Sequence, residues 1–306
     1  MAVISHPRGG GPDAAGRSIE RLSAVSARRV IEPEIALAGE PGGGRLLADD
    51  LLSVHGLDLP LSDAQRERLS REEVAAIAEE GTRFEAVLTA GFALQISKAP
   101  DLTDPRITYL LHELGEETRH SRLFIRLVSR IGPRAVNPFE RGALGWVKHR
   151  VVRHLILDRP ALLCVLVLAG EEIPDLIQKH MAEHPGTDPF VAAVNRYHRA
   201  EEARHLAFAR TLLPELLAAA PRGERLLVRH LAPLVIEVMF DSLVHPGVYR
   251  SAGLPGWRTW WAVKHSPRRL ALRHETTAPV LDAARAAGAF GRRGRPGRRW
   301  RRLVGR

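Results

Sequence analysis

The chain has 306 residues, 45% of them apolar and 26% charged, enough for one large domain with a substantial core. A single cysteine, Cys164, excludes an internal disulfide and fits a reducing, cytoplasmic setting, and the start "MAVISHPRGGGPDAAG" holds no apolar leader. The net charge of +10 is concentrated at one end: residues 292–306 carry eight arginines and no acid, and the remainder carries +2, which excludes a nucleic-acid-binding body.

In chain order, residues 1–60 are rich in glycine, proline and broken apolar pieces, and read as an irregular N-terminal arm. A helical domain follows over 61–291. It opens at "LSDAQRERLSREEV", where Ser62 and Gln65 form a capping box. Helix-period segments run over 71–98, 105–131, 161–183, 188–219 and 223–244, with a further helix near "GWVKHRVVRHLI". The longest apolar run, "ALLCVLVLAG" at 161–170, is too short to span a bilayer and reads as a buried helix. With no period-two stretch, the chain reads as all-α. Trp257, Trp260 and Trp261 are expected to pack the C-terminal segment, and His112 and His230 to be ordinary, partly buried histidines. The basic tail 292–306 reads as solvated, so its removal should leave the fold intact; Trp300 and Leu303 are the side chains in it able to dock.

Two segments carry chemistry. Residues 116–120 read "EETRH" and 201–205 read "EEARH", the same Glu-Glu-x-Arg-His pattern 85 residues apart. Each holds a Glu-x-x-His pair on one helical face: Glu117 with His120, and Glu202 with His205. His198 shares the face of Glu202 and His205, because four residues turn a helix by roughly 40° beyond a full turn. Four-helix di-metal carboxylate proteins use two such pairs plus one glutamate from each of two partner helices. Glu85 supplies the first, on the stripe Val74, Ala78, Glu85, Leu88, Phe92. For the second, periodicity leans to Glu172, but Pro174 interrupts the register with an expected kink. Glu171 shares a polar stripe with Asp175 and Gln178 and is the choice, with Glu172 the alternative.

The expected metal ligands are Glu85, Glu117, His120, Glu171, His198, Glu202 and His205. Four carboxylates with three imidazoles suit two iron ions, or manganese, better than zinc or copper. The competing account is a bundle with buried ion pairs, such as Arg119 and Arg204 against nearby acids. It explains each residue singly but not the repeated spacing.

The segments "LSDAQRERLSREEVA", "YLLHELGEETRHSRLF" (109–124), "AGEEIPDLIQ" (169–178), "YHRAEEARHLAFAR" (197–210), "HPGVYRSAGL" (245–254) and the tryptophan-arginine ending resemble the p-aminobenzoate N-oxygenase (AurF-like) di-iron family. That resemblance implies a ferritin-like four-helix bundle with extra helices and irregular extensions. It also implies two irons with one histidine beyond the usual six ligands, at the position of His198. The chemistry it implies is dioxygen-dependent oxidation of an amine-bearing small molecule, the best-known members taking an arylamine to a nitro compound. Electrons would come from an external reductase or carrier, since the chain has no dinucleotide fingerprint or cysteine cluster. A homodimer is compatible with this reading. A di-iron hydroxylase or desaturase acting on carbon, and a ferritin-like iron-binding protein, are the rivals. Substrate is expected in an apolar pocket around Phe84, Leu88, Leu110 and Leu166.

Overall fold

The computed structural model describes residues 14–291 and 294–306, and no strand occurs among them. Thirteen α-helices follow in order: α1 Ala14–Arg28, α2 Pro33–Ala36, α3 Asp63–Ser97, α4 Pro105–Ile131, α5 Gly142–Val151, α6 Pro160–Glu183, α7 Pro189–Ala219, α8 Arg222–His230, α9 Ala232–Ser242, α10 Pro246–Ser251, α11 Gly256–His265, α12 Pro267–Ala286 and α13 Arg298–Leu303. The long helices α3, α4, α6 and α7 form the bundle, as two hairpins, α3 along α4 and α6 along α7. This is the all-α, ferritin-like architecture expected from the sequence.

The boundaries of these four helices have local chemical causes. Ser62 and Gln65 close the capping box of α3. Asp104 accepts from Arg106 N ahead of α4, and Asp188 from Phe190 N and Val191 N ahead of α7, each followed by a proline that needs no donor there. The start of α6 has no local cap. Glu224 of α8 supplies one from 63 residues away, accepting from Ala161 N at 2.7 Å and from Leu162 N at 3.1 Å. Gly132, at φ 60°, ends α4 in the left-handed conformation glycine adopts without strain. The run read as 223–244 is split at Leu231, because Pro233 starts α9 and cannot continue the hydrogen-bond ladder of α8. The stretch "GWVKHRVVRHLI" is helical as expected, finishing in a π-helical turn at Val152–Ile156. Pro174 sits inside a helix that continues to Glu183.

Two expectations about the ends need correction. The arm read as irregular contains α1, which packs against α4 and α7 and buries Ile19. Ser26 of α1 accepts a hydrogen bond from Arg204 Nε at 3.1 Å, and Ile31 O accepts from Tyr197 Oη at 3.0 Å. The arm therefore braces the bundle at polar side chains of α7; its residues 1–13 lie outside the described residues. The basic tail is also docked. Trp300 is fully buried, donates to Val228 O at 3.2 Å and meets Phe290 edge-on, while Leu303 is buried against α12. The arginines of α13 stay outside and its two large apolar side chains go in. Trp300→Ala is expected to lower unfolding stability by about 3–5 kcal/mol, measured by urea denaturation. A loss under about 1 kcal/mol would show that the docking carries little. His230 and Trp261 are exposed, and Trp257 is nearly half exposed. Trp260 donates to Asp241 O and packs with Trp257 against Phe139.

A buried carboxyl outside the site couples folding to pH. Glu73 on α3 accepts from Ser53 N and Oγ, yet burial outweighs those bonds and raises it from 4.5 to about 7. The native state then holds a proton that the unfolded chain has released. Its stabilising contribution is complete below about pH 4.5 and is lost as pH rises through about 7. Over that window it should cost roughly 3 kcal/mol. Urea midpoints of the parent should fall more steeply between pH 5 and 8 than those of Glu73→Gln, and identical slopes would refute the coupling.

Candidate metal centre

Each of the four bundle helices turns acid or imidazole inward at one level. Glu85 comes from α3, Glu117 and His120 from α4, Glu171 from α6, and His198, Glu202 and His205 from α7; all seven are buried. Their ligand atoms fall into overlapping groups that could each hold a metal ion, with atoms within 4.8 Å of one another: Glu85 with His120 and His198, Glu117 with His120 and Glu202, and Glu171 with His198 and Glu202. A fourth group joins Glu117 and His205 to Glu113.

Glu117 and Glu202 lie between the two motif histidines. Glu202 approaches His120 Nδ1 at 3.1 Å and His205 Nδ1 at 2.9 Å; Glu117 approaches the same atoms at 3.5 and 3.2 Å. These are the positions from which two carboxylates could bridge a pair of ions. His198 Nε2 reaches in from one side, 3.5 Å from Glu85 and 3.3 Å from Glu202. Its Nδ1 is held by Gln178 Oε1 at 2.8 Å, so the inward nitrogen is the one left to act as a donor atom. Glu172 turns away from this cluster and pairs with Arg210.

The remaining letters of the repeated motif now have a physical role. Glu201, the first glutamate of the second copy, meets His120 Nε2 of the first at 2.9 Å; Glu116 of the first copy meets His205 Nε2 of the second at 2.8 Å. Arg204 pairs with Glu116 at 2.8 Å and Arg119 with Glu201 at 3.5 Å. Each copy thus orients the other's histidine, aiming both Nδ1 atoms inward. Ion pairs involving Arg119 and Arg204 do exist, as the competing account required, but they serve the outer carboxylates, and the inner ones face only the histidines.

The inner atoms lack partners. Glu85 Oε1, both oxygens of Glu117, Glu202 Oε1 and His120 Nδ1 have no hydrogen bond although fully enclosed. Such groups are costly to bury unpaired, and cations would satisfy them together. The electrostatics agree. Burial alone would push His120 and His205 down, but the surrounding carboxylates raise both well above the ordinary histidine value. Burial together with Glu202 and Glu117 drives Glu171 far up. Glu116 goes down to about 2, burial being overcome by His205 and Arg204. With Arg119 and Arg204 beside Glu201 and Glu116, the four expected carboxylate ligands carry the charge that two divalent cations would balance, so the donor set fits a pair of ions.

The family description "P-aminobenzoate N-oxygenase AurF" matches residues 14–288, nearly the whole chain. The chain belongs to the AurF family. Uncharacterized proteins of Mycobacterium bovis and Mycobacterium tuberculosis are 30% identical to it over 215 residues, 70% of this chain. That stretch spans 62% of each relative's length. AurF membership brings the ferritin-like helical fold, and the carboxylate and histidine clusters of this chain lie where such a bundle could hold metal ions.

Sequence reasoning passes over Glu113, one turn before Glu117. It is buried with neither oxygen partnered, and burial raises it to about 8. Its signal is the four-residue step to Glu117, which places both on one face of α4.

The pocket expectation needs correction as well. A mostly apolar, open-mouthed cavity reaches Glu85, Glu171 and His198. Phe84 lines it, but Leu88 and Leu166 are core residues, and Leu110 lines a smaller cleft on another side, with Glu113 and Cys164. A Cβ at Gly170 would overlap the Phe84 ring, so glycine at that position lets the ring stand over the cavity wall beside Glu171. No helix among the described residues is long and apolar enough to cross a membrane.

Proposed function

We propose that the chain is a di-iron, dioxygen-dependent oxygenase of amine nitrogen, with Glu85, Glu117, His120, Glu171, His198, Glu202 and His205 holding the two ions. Its first turnover would be R–NH2 + O2 + 2e⁻ + 2H⁺ → R–NHOH + H2O, the electrons coming from an external donor. The observation that carries this reading is the cavity whose inner wall is completed by Glu85, Glu171 and His198 themselves. A pocket that ends on the ligand set favours a centre that meets a substrate over one that stores iron.

Bound iron would supply the activation of dioxygen. The chain's own residues do the rest. Gln178 fixes the His198 ring, and Glu201 and Glu116 fix His120 and His205. Phe84, Phe124, Ile173 and Met181 keep the cavity apolar, so an amine held there sheds bulk water with its lone pair free.

The test is a single turnover. Protein loaded with ferrous iron and mixed with an arylamine and ¹⁸O-labelled dioxygen should yield labelled hydroxylamine or nitro product by mass spectrometry. Label on carbon would indicate a hydroxylase, and oxidised iron without organic product a ferritin-like protein; either result defeats the proposal.

A further inference from the structure

The cavity wall carries its own chemical message. Its charged members are Glu80, Glu85 and Glu171, and neither lysine nor arginine lines it. Lys148 and Arg83 stand behind Glu80 but are already engaged: Lys148 lies 2.8 Å from Glu80 Oε1 and also pairs with Glu140, and Arg83 is within 4 Å of Glu79, Glu80 and Glu140. Glu85 and Glu171 are committed to the metal ions in the reading above. An anion entering this space would leave water for an apolar cavity bordered by acids and without a counter-charge, a costly transfer. A cation would find Glu80 paired with Lys148 and Glu85 and Glu171 taken by the metal ions of that reading.

The wall also holds a buried donor without an acceptor. Asn195 on α7 is 93% buried, and its Nδ2 has no hydrogen-bond partner. Gln178, the other amide on the wall, uses its Oε1 on His198 Nδ1. Three residues separate Asn195 from His198, which places the amide about 4.5 Å further along the helix and roughly 60° round it. A buried donor without an acceptor costs about 1–3 kcal/mol. A ligand oxygen would remove that cost.

We propose that the cavity takes a neutral, largely apolar amine bearing a carbonyl, ether or hydroxyl oxygen that accepts from Asn195 Nδ2, and that it rejects carboxylate-bearing amines. That the ligand is an amine rests on the proposed function; its neutrality and its acceptor oxygen rest on the wall.

Binding tests this without turnover. Iron-loaded protein, kept anaerobic, is titrated calorimetrically with three probes: 4-aminoacetophenone, 4-ethylaniline and 4-aminobenzoate. The ketone should bind about tenfold more tightly than the ethyl compound, the value of one satisfied buried donor, and the carboxylate should bind most weakly. Asn195→Leu should erase the ketone's advantage while leaving the ethylaniline affinity within about twofold, a selective change that a packing defect would not produce. Tighter or equal binding of 4-aminobenzoate, no measurable binding of the ketone, or an equal loss for all probes in Asn195→Leu would overturn the proposal. If the ketone binds in the expected pattern yet gives no oxygenated nitrogen after dioxygen is admitted, the inference stands and the proposed function fails.

Discussion

Protein reconstituted anaerobically with ferrous iron and then desalted is expected to retain close to two ions per chain, and His120→Ala or His205→Ala should each lower that content by more than half. His120 Nδ1 faces Glu117, Glu202 and Glu85 within 4.0 Å. Its removal takes a donor from the cluster and also leaves Glu201 Oε2 without the ring it holds. The outer glutamates give a graded control. Glu201→Ala keeps all seven expected ligands but frees the His120 ring, and loss of such an orienting partner commonly weakens metal affinity by about 10–100-fold. Elemental analysis measures the stoichiometry, and competition with a chelator measures the affinity. A parent chain that stays metal-free would defeat the di-iron reading. Equal affinity in Glu201→Ala would show that the crossed pairing of the two motifs is merely structural.

That crossed pairing marks the boundary of what the sequence could reveal. Periodicity was enough to put Glu85, Glu117, His120, His198, Glu202 and His205 on inward faces, because each sits in a long, capped helix. At Glu171 it leaned to Glu172 instead, and the polar stripe with Asp175 and Gln178 was the signal that found it. The sequence could not say which side chains would meet across helices. The contact of Glu201 with His120 spans 81 residues and depends on how α4 and α7 cross, so the doubled glutamates and the arginines gained meaning only in three dimensions. Glu113 was hidden for the same reason: nothing in "HELGEE" distinguishes a glutamate pointing at His205 from one pointing at water.

The helices that escaped prediction share a different cause. In α12, Arg268, Arg269, Arg273, His274 and Glu275 dilute the apolar stripe, and Pro279 lies inside it. It is secured by Ser266, which caps Arg269 N, and by packing on α6. In α13, two buried side chains stand among arginines that remain outside. Helices of this kind draw their stability from tertiary contact, and local sequence carries little trace of it.

Replacing His198 separates holding the metals from using them. Glu85, Glu117, His120, Glu171, Glu202 and His205 make up the six-ligand pattern without it, so His198→Ala is expected to keep most of the iron. What it removes is an imidazole whose Nε2 lies 3.5 Å from Glu85 and 3.3 Å from Glu202, at the place where the cavity meets the cluster. It also removes the ring stacked near Phe124, at 4.9 Å between centroids, opening the apolar wall to water. The reduced variant should therefore still consume dioxygen, with the share of electrons recovered in oxidised amine falling at least tenfold relative to the parent. Gln178→Leu should move the same way by a smaller factor, because it frees Nδ1 and lets the ring turn while leaving the imidazole in place. If His198 is only a packed histidine, both variants will match the parent in metal content and in the yield of product per dioxygen consumed. That result would take away the feature distinguishing this centre from a six-ligand hydroxylase, and oxidation of carbon would become the better account of the cavity.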